Sequence, residues 1–257
     1  MQYFDTHAHI GLIDDDPIKQ LLITQEARQA GITRILSICN NLHDFAKVYE
    51  NLKSASNVYY ATGVSPSEVQ NPGKDWLLTI KQNAQLPRVV AIGEIGLDYY
   101  HKFGDKTAQI ELFIQQLDVA SRLDVPVVIH NREAGRDVLD ILRDRLPPKG
   151  GVLHCYSENA EYAKKALKLN LYFSFAGNLT YKNARNLHET VSVLPLDRIM
   201  VESESPFMVP SEHRGKRNMP KYISLTVQCL ASMLEISCEK TADILWENSN
   251  KFFGLPQ

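Results

Sequence analysis

Eight times along this chain a short apolar run, rich in β-branched residues, gives way to a longer stretch of helical periodicity. The runs are QYFD (2–5), RILSIC (34–39), VYYATG (58–63), VVAIGE (89–94), VPVVIH (125–130), GVLHC (151–155), LYFSF (171–175) and RIMVES (198–203). Between them lie helical stretches at 17–30, 41–54, 74–84, 106–123, 132–145, 158–169 and 180–193, and two more follow the last run, at 219–234 and 239–252. Nearly continuous apolar strands separated by amphipathic helices specify parallel βα units. In QIELFIQQLDVASRL, Ile110, Phe113, Ile114, Leu117, Ala120 and Leu123 recur at spacings of three and four, which marks one buried helix face. Asp16-Pro17 supplies a helix start, and Gly31 and Gly150 stand where helices should stop. Eight such units within 257 residues predict a closed (β/α)8 TIM barrel of class α/β, one domain over 1–257, with an open doubly wound sheet as the alternative. No linker, internal repeat or low-complexity tract divides the chain. The longest loop-like stretch, ESPFMVPSEHRGKRNM at 204–219, is of a length that usually carries function.

Barrel enzymes place their chemistry at the C-terminal ends of the strands. Asp5, His7 and His9 stand there after the first strand. Glu94, with Asp98 shortly beyond, ends the fourth, His130 the fifth, His154 the sixth, and Glu202 and Glu204 the eighth. One histidine at a strand end is more often a hydrogen-bonded structural residue than a ligand. His7-Ala8-His9 gains weight from period two, which aims both imidazoles the same way in an extended chain. Four of the eight histidines collecting on one rim with several carboxylates point to metal. Nitrogen and oxygen donors without cysteine suit zinc, manganese, magnesium or iron. Five or six donors exceed the three or four of a single catalytic zinc, so two divalent cations bridged by a carboxylate such as Glu94 fit better. Cys155 alternates away from His154 and is expected to be buried packing.

Composition narrows the function classes. The net charge of −2 gives the chain no general attraction for polyanions, so any nucleic-acid contact must come from a local patch or from bound metal. The N-terminus shows no basic and apolar leader, and no run is long enough to span a bilayer. Four cysteines without C-x-x-C spacing suit reduced thiols, and a cytoplasmic location away from membranes is expected. There is no phosphate-binding G-x-x-x-x-G-K-[ST] loop and no plausible Ser-His-Asp order.

FDTHAHI, AIGEIGLDYY, PVVIHNREA, GVLHCYS, RIMVESESPFMVP, HRGKRNMPKYI and NSNKFFG follow one another in this order from Asp5 to about Phe253. Together they resemble the TatD family of metal-dependent hydrolases, within the amidohydrolase-like superfamily. The resemblance implies hydrolysis of phosphodiesters with divalent metals (Mg, Mn or Zn), as a deoxyribonuclease of exonuclease character on DNA or short oligonucleotide ends. It implies that His7 and His9 hold one metal, that Glu94 bridges two, and that His130 and His154 hold the second. The family's E-T-D segment falls on Glu202-Ser203-Glu204, making Glu204 a metal ligand and the base that activates water, and Glu202 a residue that holds a ligand in place. Glu204 stands where the family has aspartate. Ser65, in TGVSPSEV, stands where it has a histidine facing the substrate, and a hydroxyl there can bond a phosphate oxygen but carries no positive charge.

Other residues are candidates for holding substrate. Arg132, expected to open a helix after His130, has a guanidinium suited to phosphate, although a helix-surface ion pair is an equal reading. Arg214 and Arg217, in the basic run HRGKRN, could supply a local positive patch, or simply be solvated. Tyr99, Tyr100 and Tyr156 could stack on bases, and Asp98 could orient a ligand histidine. Two rival functions share these residues: a metal-dependent hydrolase of a small amide, ester or phosphoester, and a TatD-like partner subunit weakened in catalysis.

Overall fold

The computed structural model describes residues 1–256. Eight parallel strands form one sheet in sequence order: β1 (Tyr3–Ala8), β2 (Ile32–Ser37), β3 (Val58–Thr62), β4 (Val89–Asp98), β5 (Val127–Arg132), β6 (Gly151–Leu153), β7 (Tyr172–Phe175) and β8 (Ile199–Val201). The sheet closes where β1 meets the segment after β8. Ala8 and Ser205 form a parallel bridge, and Glu204 N–H donates to the His7 carbonyl at 2.9 Å. The barrel's seam is therefore stitched by backbone at the rim where the strands end.

The helices are α1 (Ile10–Ile13), α2 (Pro17–Gln29), α3 (Leu42–Leu52), α4 (Trp76–Asn83), α5 (Lys106–Leu123), α6 (Gly135–Arg145), α7 (Ala160–Leu167), α8 (Arg185–Val193), α9 (Ile223–Leu234) and α10 (Cys238–Phe253). Asp16 caps α2 as its sequence implies, its carboxylate accepting from Ile18 and Lys19 N–H. Gly31 turns the chain at φ 89° after α2. Strand alternation divides the core. Ile35, Tyr60, Ile92, Ile129, Phe173 and Val201 belong to the apolar layer shared with the helices. Phe4, Leu36, Ala61, Ala91, Val128, Val152 and Met200 form a second cluster, which Phe252 and Phe253 of α10 join. No described helix is long and apolar enough to cross a membrane.

The elements depart from the sequence reading where the site begins. β1 runs three residues past the expected 2–5, and β4 runs on to Asp98 rather than stopping at Glu94. β8 stops at Val201, short of the expected 203. Gly96 makes the extension of β4 possible: at φ 145°, a Cβ built on it would stand 2.0 Å from the His130 carbonyl oxygen, so only glycine lets β4 lie this close to β5. Arg132 ends β5 and the following helix starts at Gly135, which corrects the expectation that Arg132 opens it.

Candidate metal centre

Glu94 lies at the middle of the site, and its two oxygens face different partners. Oε2 is 3.6 Å from His7 Nε2 and 3.7 Å from His9 Nε2. Oε1 is 2.8 Å from His130 Nδ1 and 3.5 Å from His154 Nε2. Within the first set, His7 Nε2 and His9 Nε2 are 3.1 Å apart, and Glu204 Oε2 stands 3.4 Å from His7 Nε2. Within the second, His130 Nδ1 and His154 Nε2 are 3.3 Å apart. Donors that share an ion at about 2.0–2.2 Å stand roughly 3–3.5 Å from each other, so these spacings are near those of a coordination shell. Three groups have ligand atoms within 4.8 Å of one another: His7, His9 and Glu94; Glu94, His130 and His154; and His7, His154, Glu202 and Glu204.

His7 and His9 do not meet by simple strand alternation. The register with β2 shifts between Asp5 and Ala8, and His9 has left the strand to stand before α1. Asp5, fully buried, pins this bend: its Oδ1 accepts from His7 N–H at 3.3 Å and from Ser203 N–H at 2.8 Å. Burial raises its carboxyl to about 7 against those donors. Burial, with His7 beside it, lowers His9 to about 3, and the neutral imidazole is the form that binds metal. Burial works against the charge of Glu94, yet His154, His130 and His7 together hold its carboxyl well below the usual range. Burial likewise opposes a proton on His154, but Glu94 and Glu202 hold its pKa well above the ordinary value.

Asp98 holds the second set in place. Its Oδ2 lies 3.0 Å from His130 Nε2, which leaves His130 Nδ1 to face Glu94 and His154. Asp98→Asn keeps the shape but removes the charge that fixes this imidazole. Divalent-metal affinity, measured by competition with a metallochromic chelator, is expected to fall about 10–100-fold. Unchanged affinity would show that His130 needs no such support. Glu202 acts on the opposite face. Its Oε1 accepts from Cys155 N–H at 2.8 Å and lies 3.4 Å from His154 Nδ1.

The loop after β8 carries Glu204 in the left-handed region at φ 55°. Asn218 braces that loop from beyond it: its side-chain amide donates to the Ser203 and Phe207 carbonyls, each at 2.6 Å. Sequence reasoning treated Asn218 as the end of a basic run; only a fold that returns residue 218 beneath residues 203–207 reveals the bracket. Glu204 Oε2 is buried and has no hydrogen-bond partner in the protein. A buried carboxylate oxygen facing imidazoles suits a divalent cation, and with the donor spacings it shows that these residues fit such ions.

A cavity of about 370 Å³ opens onto this cluster. Its walls include Ser65, Ser67, His101, Phe103, Asn131, Arg132, Cys155 and Phe207. Arg132 is the only lysine or arginine among the described residues lining it, and its guanidinium lies 5.1 Å over the Tyr100 ring. Tyr156 is not in the wall. It is buried against Phe173 and Phe175, and its hydroxyl donates to the Asn159 carbonyl at 2.7 Å, which corrects its reading as a substrate contact. Arg214 and Arg217 also lie outside the lining, and Arg217 is tied to the Ile13 carbonyl. Cys155 is partly exposed and lines the cavity, because the chain turns there at φ 41° instead of continuing the alternation of β6. Burial and the surrounding glutamates hold its thiol well above the usual value, so it faces the cavity as a neutral group.

Comparison with known proteins places this geometry among relatives. Residues 4–254 match the family described as TatD related DNase. The chain is 34% identical over 253 residues to an uncharacterized metal-dependent hydrolase, YabD, of Bacillus subtilis, covering 98% of this chain and 99% of the relative. It is 31% identical to an uncharacterized metal-dependent hydrolase, TatD, of Mycobacterium tuberculosis, covering 98% and 97%. Among solved structures, the TatD homologue YjjV of Escherichia coli superposes with a TM-score of 0.90 at 27% identity, over 99% of this chain and 98% of that one.

Proposed function

The chain belongs to the TatD-related DNase family of metal-dependent hydrolases, and on that premise we propose that it hydrolyses phosphodiester bonds at the ends of DNA or short oligonucleotides with two divalent cations. One observation carries the reading: the two oxygens of Glu94 address separate pairs of histidine nitrogens. His7, His9, Glu94 and Glu204 would hold one ion, and Glu94, His130 and His154 the other. Such a pair, when bound, lowers the pKa of a water and stabilises charge on the attacked and departing oxygens.

The protein supplies the rest. Glu204 is the base: burial raises its carboxyl, and a carboxylate that gives one oxygen to an ion keeps a second to take a proton from the attacking water. The water oxygen bonds to phosphorus as the bond to the departing sugar oxygen breaks, and that oxygen takes a proton from solvent. Arg132 grips the phosphate through its forked donors. Ser65 offers a hydroxyl on the same wall without adding charge. Asp98, Glu202 and Asp5 keep the imidazoles and the Glu204 loop aimed. The four cysteines are free, which accords with a reducing compartment, and we place the activity in the cytoplasm.

Arg132→Ala is expected to raise KM for a labelled oligonucleotide about 10–100-fold, the range for a lost charged hydrogen bond, with bound metal unchanged. An unaltered KM would remove Arg132 as the phosphate grip. The presence of a single arginine as the one lysine or arginine among the described residues of a partly apolar wall favours a second reading, hydrolysis of a small amide, ester or phosphoester. The purified protein, loaded in turn with Mg, Mn and Zn, decides between them. Turnover of the oligonucleotide above that of a small ester and amide panel supports the proposal, and the reverse order overturns it.

A further inference from the structure

The cavity has a second recognition element that none of the steps above uses. Beyond Asp98 the chain makes a compact turn, with Lys102 at φ 55°. Two rings on either side of Lys102 stack on each other: the His101 and Phe103 centroids are 5.2 Å apart at an interplanar angle of 23°. Both line the cavity. The His101 ring is fixed, since its Nδ1 lies 2.8 Å from Asp98 Oδ2 and its backbone N–H donates to Asp98 Oδ1 at 2.8 Å. Tyr100 stands edge-on to His101 at 4.8 Å, and Arg132 lies over Tyr100. The end of the turn is held too: a Cβ on Gly104 would come within 2.7 Å of Val69 Cγ1, so the loop is pressed against the short turn that carries Ser65 and Ser67.

A continuous series thus leads from a cation through three rings, and the far pair faces the cavity. The His101 side chain is half exposed although its ring is anchored. Stacked rings held in place and left open to a ligand offer a flat surface at little entropic cost. Ser65 and Ser67, whose hydroxyls are 3.2 Å apart, line the same cavity and supply neutral donors and acceptors.

We infer that His101 and Phe103 form a stacking subsite for the nucleobase adjoining the phosphate that Arg132 holds, so that the enzyme recognises a terminal nucleoside rather than an extended strand. This rests on the phosphodiesterase reading for its substrate class. Its test does not need turnover. The intact protein is titrated calorimetrically with 2′-deoxyadenosine 5′-monophosphate and, separately, with 2-deoxyribose 5-phosphate, which carries the same phosphate without a base. The nucleotide is expected to bind about tenfold or more tightly, within the range for one stacked base. Phe103→Ala is expected to abolish the difference, and Phe103→Trp to restore it. Equal binding of the two phosphates by the unaltered protein, or a preference that survives Phe103→Ala, overturns the subsite. Absence of oligonucleotide turnover with the base preference intact would count against the hydrolytic reading alone.

Discussion

Replacing Glu94 by alanine is expected to lower hydrolysis more than ~10³-fold, beyond the loss from a single transition-state donor, and to empty the site of most of its metal. Glu94 presents a separate oxygen to each donor set, Oε2 toward His7 and His9 and Oε1 toward His130 and His154. Without it, the first set keeps two imidazoles and Glu204, and the second keeps two imidazoles alone. Neither retains a shared anion to offset the repulsion between neighbouring divalent charges. Metal content measured by plasma mass spectrometry after gel filtration should fall from about two ions per chain to one or fewer. Retained thermal unfolding would show that the barrel survives, as expected for a side chain facing a cavity. Two ions retained, or activity within tenfold of the unaltered protein, would remove Glu94 as the bridge.

The barrel was legible in sequence because its signal is repeated: each apolar run and each helix face restates the same layering, so an error of three residues in one strand leaves the topology intact. The site was legible for a narrower reason. His7, His9, Glu94, His130, His154 and Glu204 all fall near the ends of those runs, where a parallel barrel gathers side chains on one rim. What could not be read is how the chain bends there. The shift in β1 between Asp5 and Ala8, the left-handed Glu204 and Cys155, and the Gly96 contact that lets β4 continue all break the period-two rule that sequence reasoning applies. By that rule Cys155 reads as packing, and it is found in the cavity wall. Tyr156 and the arginines of 213–218 were misplaced for a related reason. Chemical suitability for phosphate or a base says nothing of the direction in which a loop leaves the rim. Asn218 and the His101–Phe103 stack matter only through contacts between segments, and no spacing in the chain encodes those.

Glu204→Gln should separate holding metal from moving a proton. The amide keeps an oxygen at the same reach toward His7 and His154, which Glu204 Oε2 approaches at 3.4 and 3.7 Å, so most of the bound metal should remain. It cannot accept the water proton, and kcat is expected to fall ~10²–10⁴-fold, the usual contribution of a positioned general base, with KM little changed. Glu204→Asp makes the complementary test. The loop is set for the longer side chain, with the backbone at φ 55° and Asn218 clamping the Ser203 and Phe207 carbonyls. Shortening the side chain by one methylene draws the carboxylate back from the imidazoles, and a misplacement near 1 Å costs up to ~10²-fold. Turnover should therefore drop in both variants, with metal loss greater in the aspartate. Unchanged kcat in Glu204→Gln would exclude this residue as the base. A rise in turnover on Glu204→Asp would mean that glutamate is the misplaced residue here, and that this barrel's catalysis is weakened relative to an aspartate-bearing site.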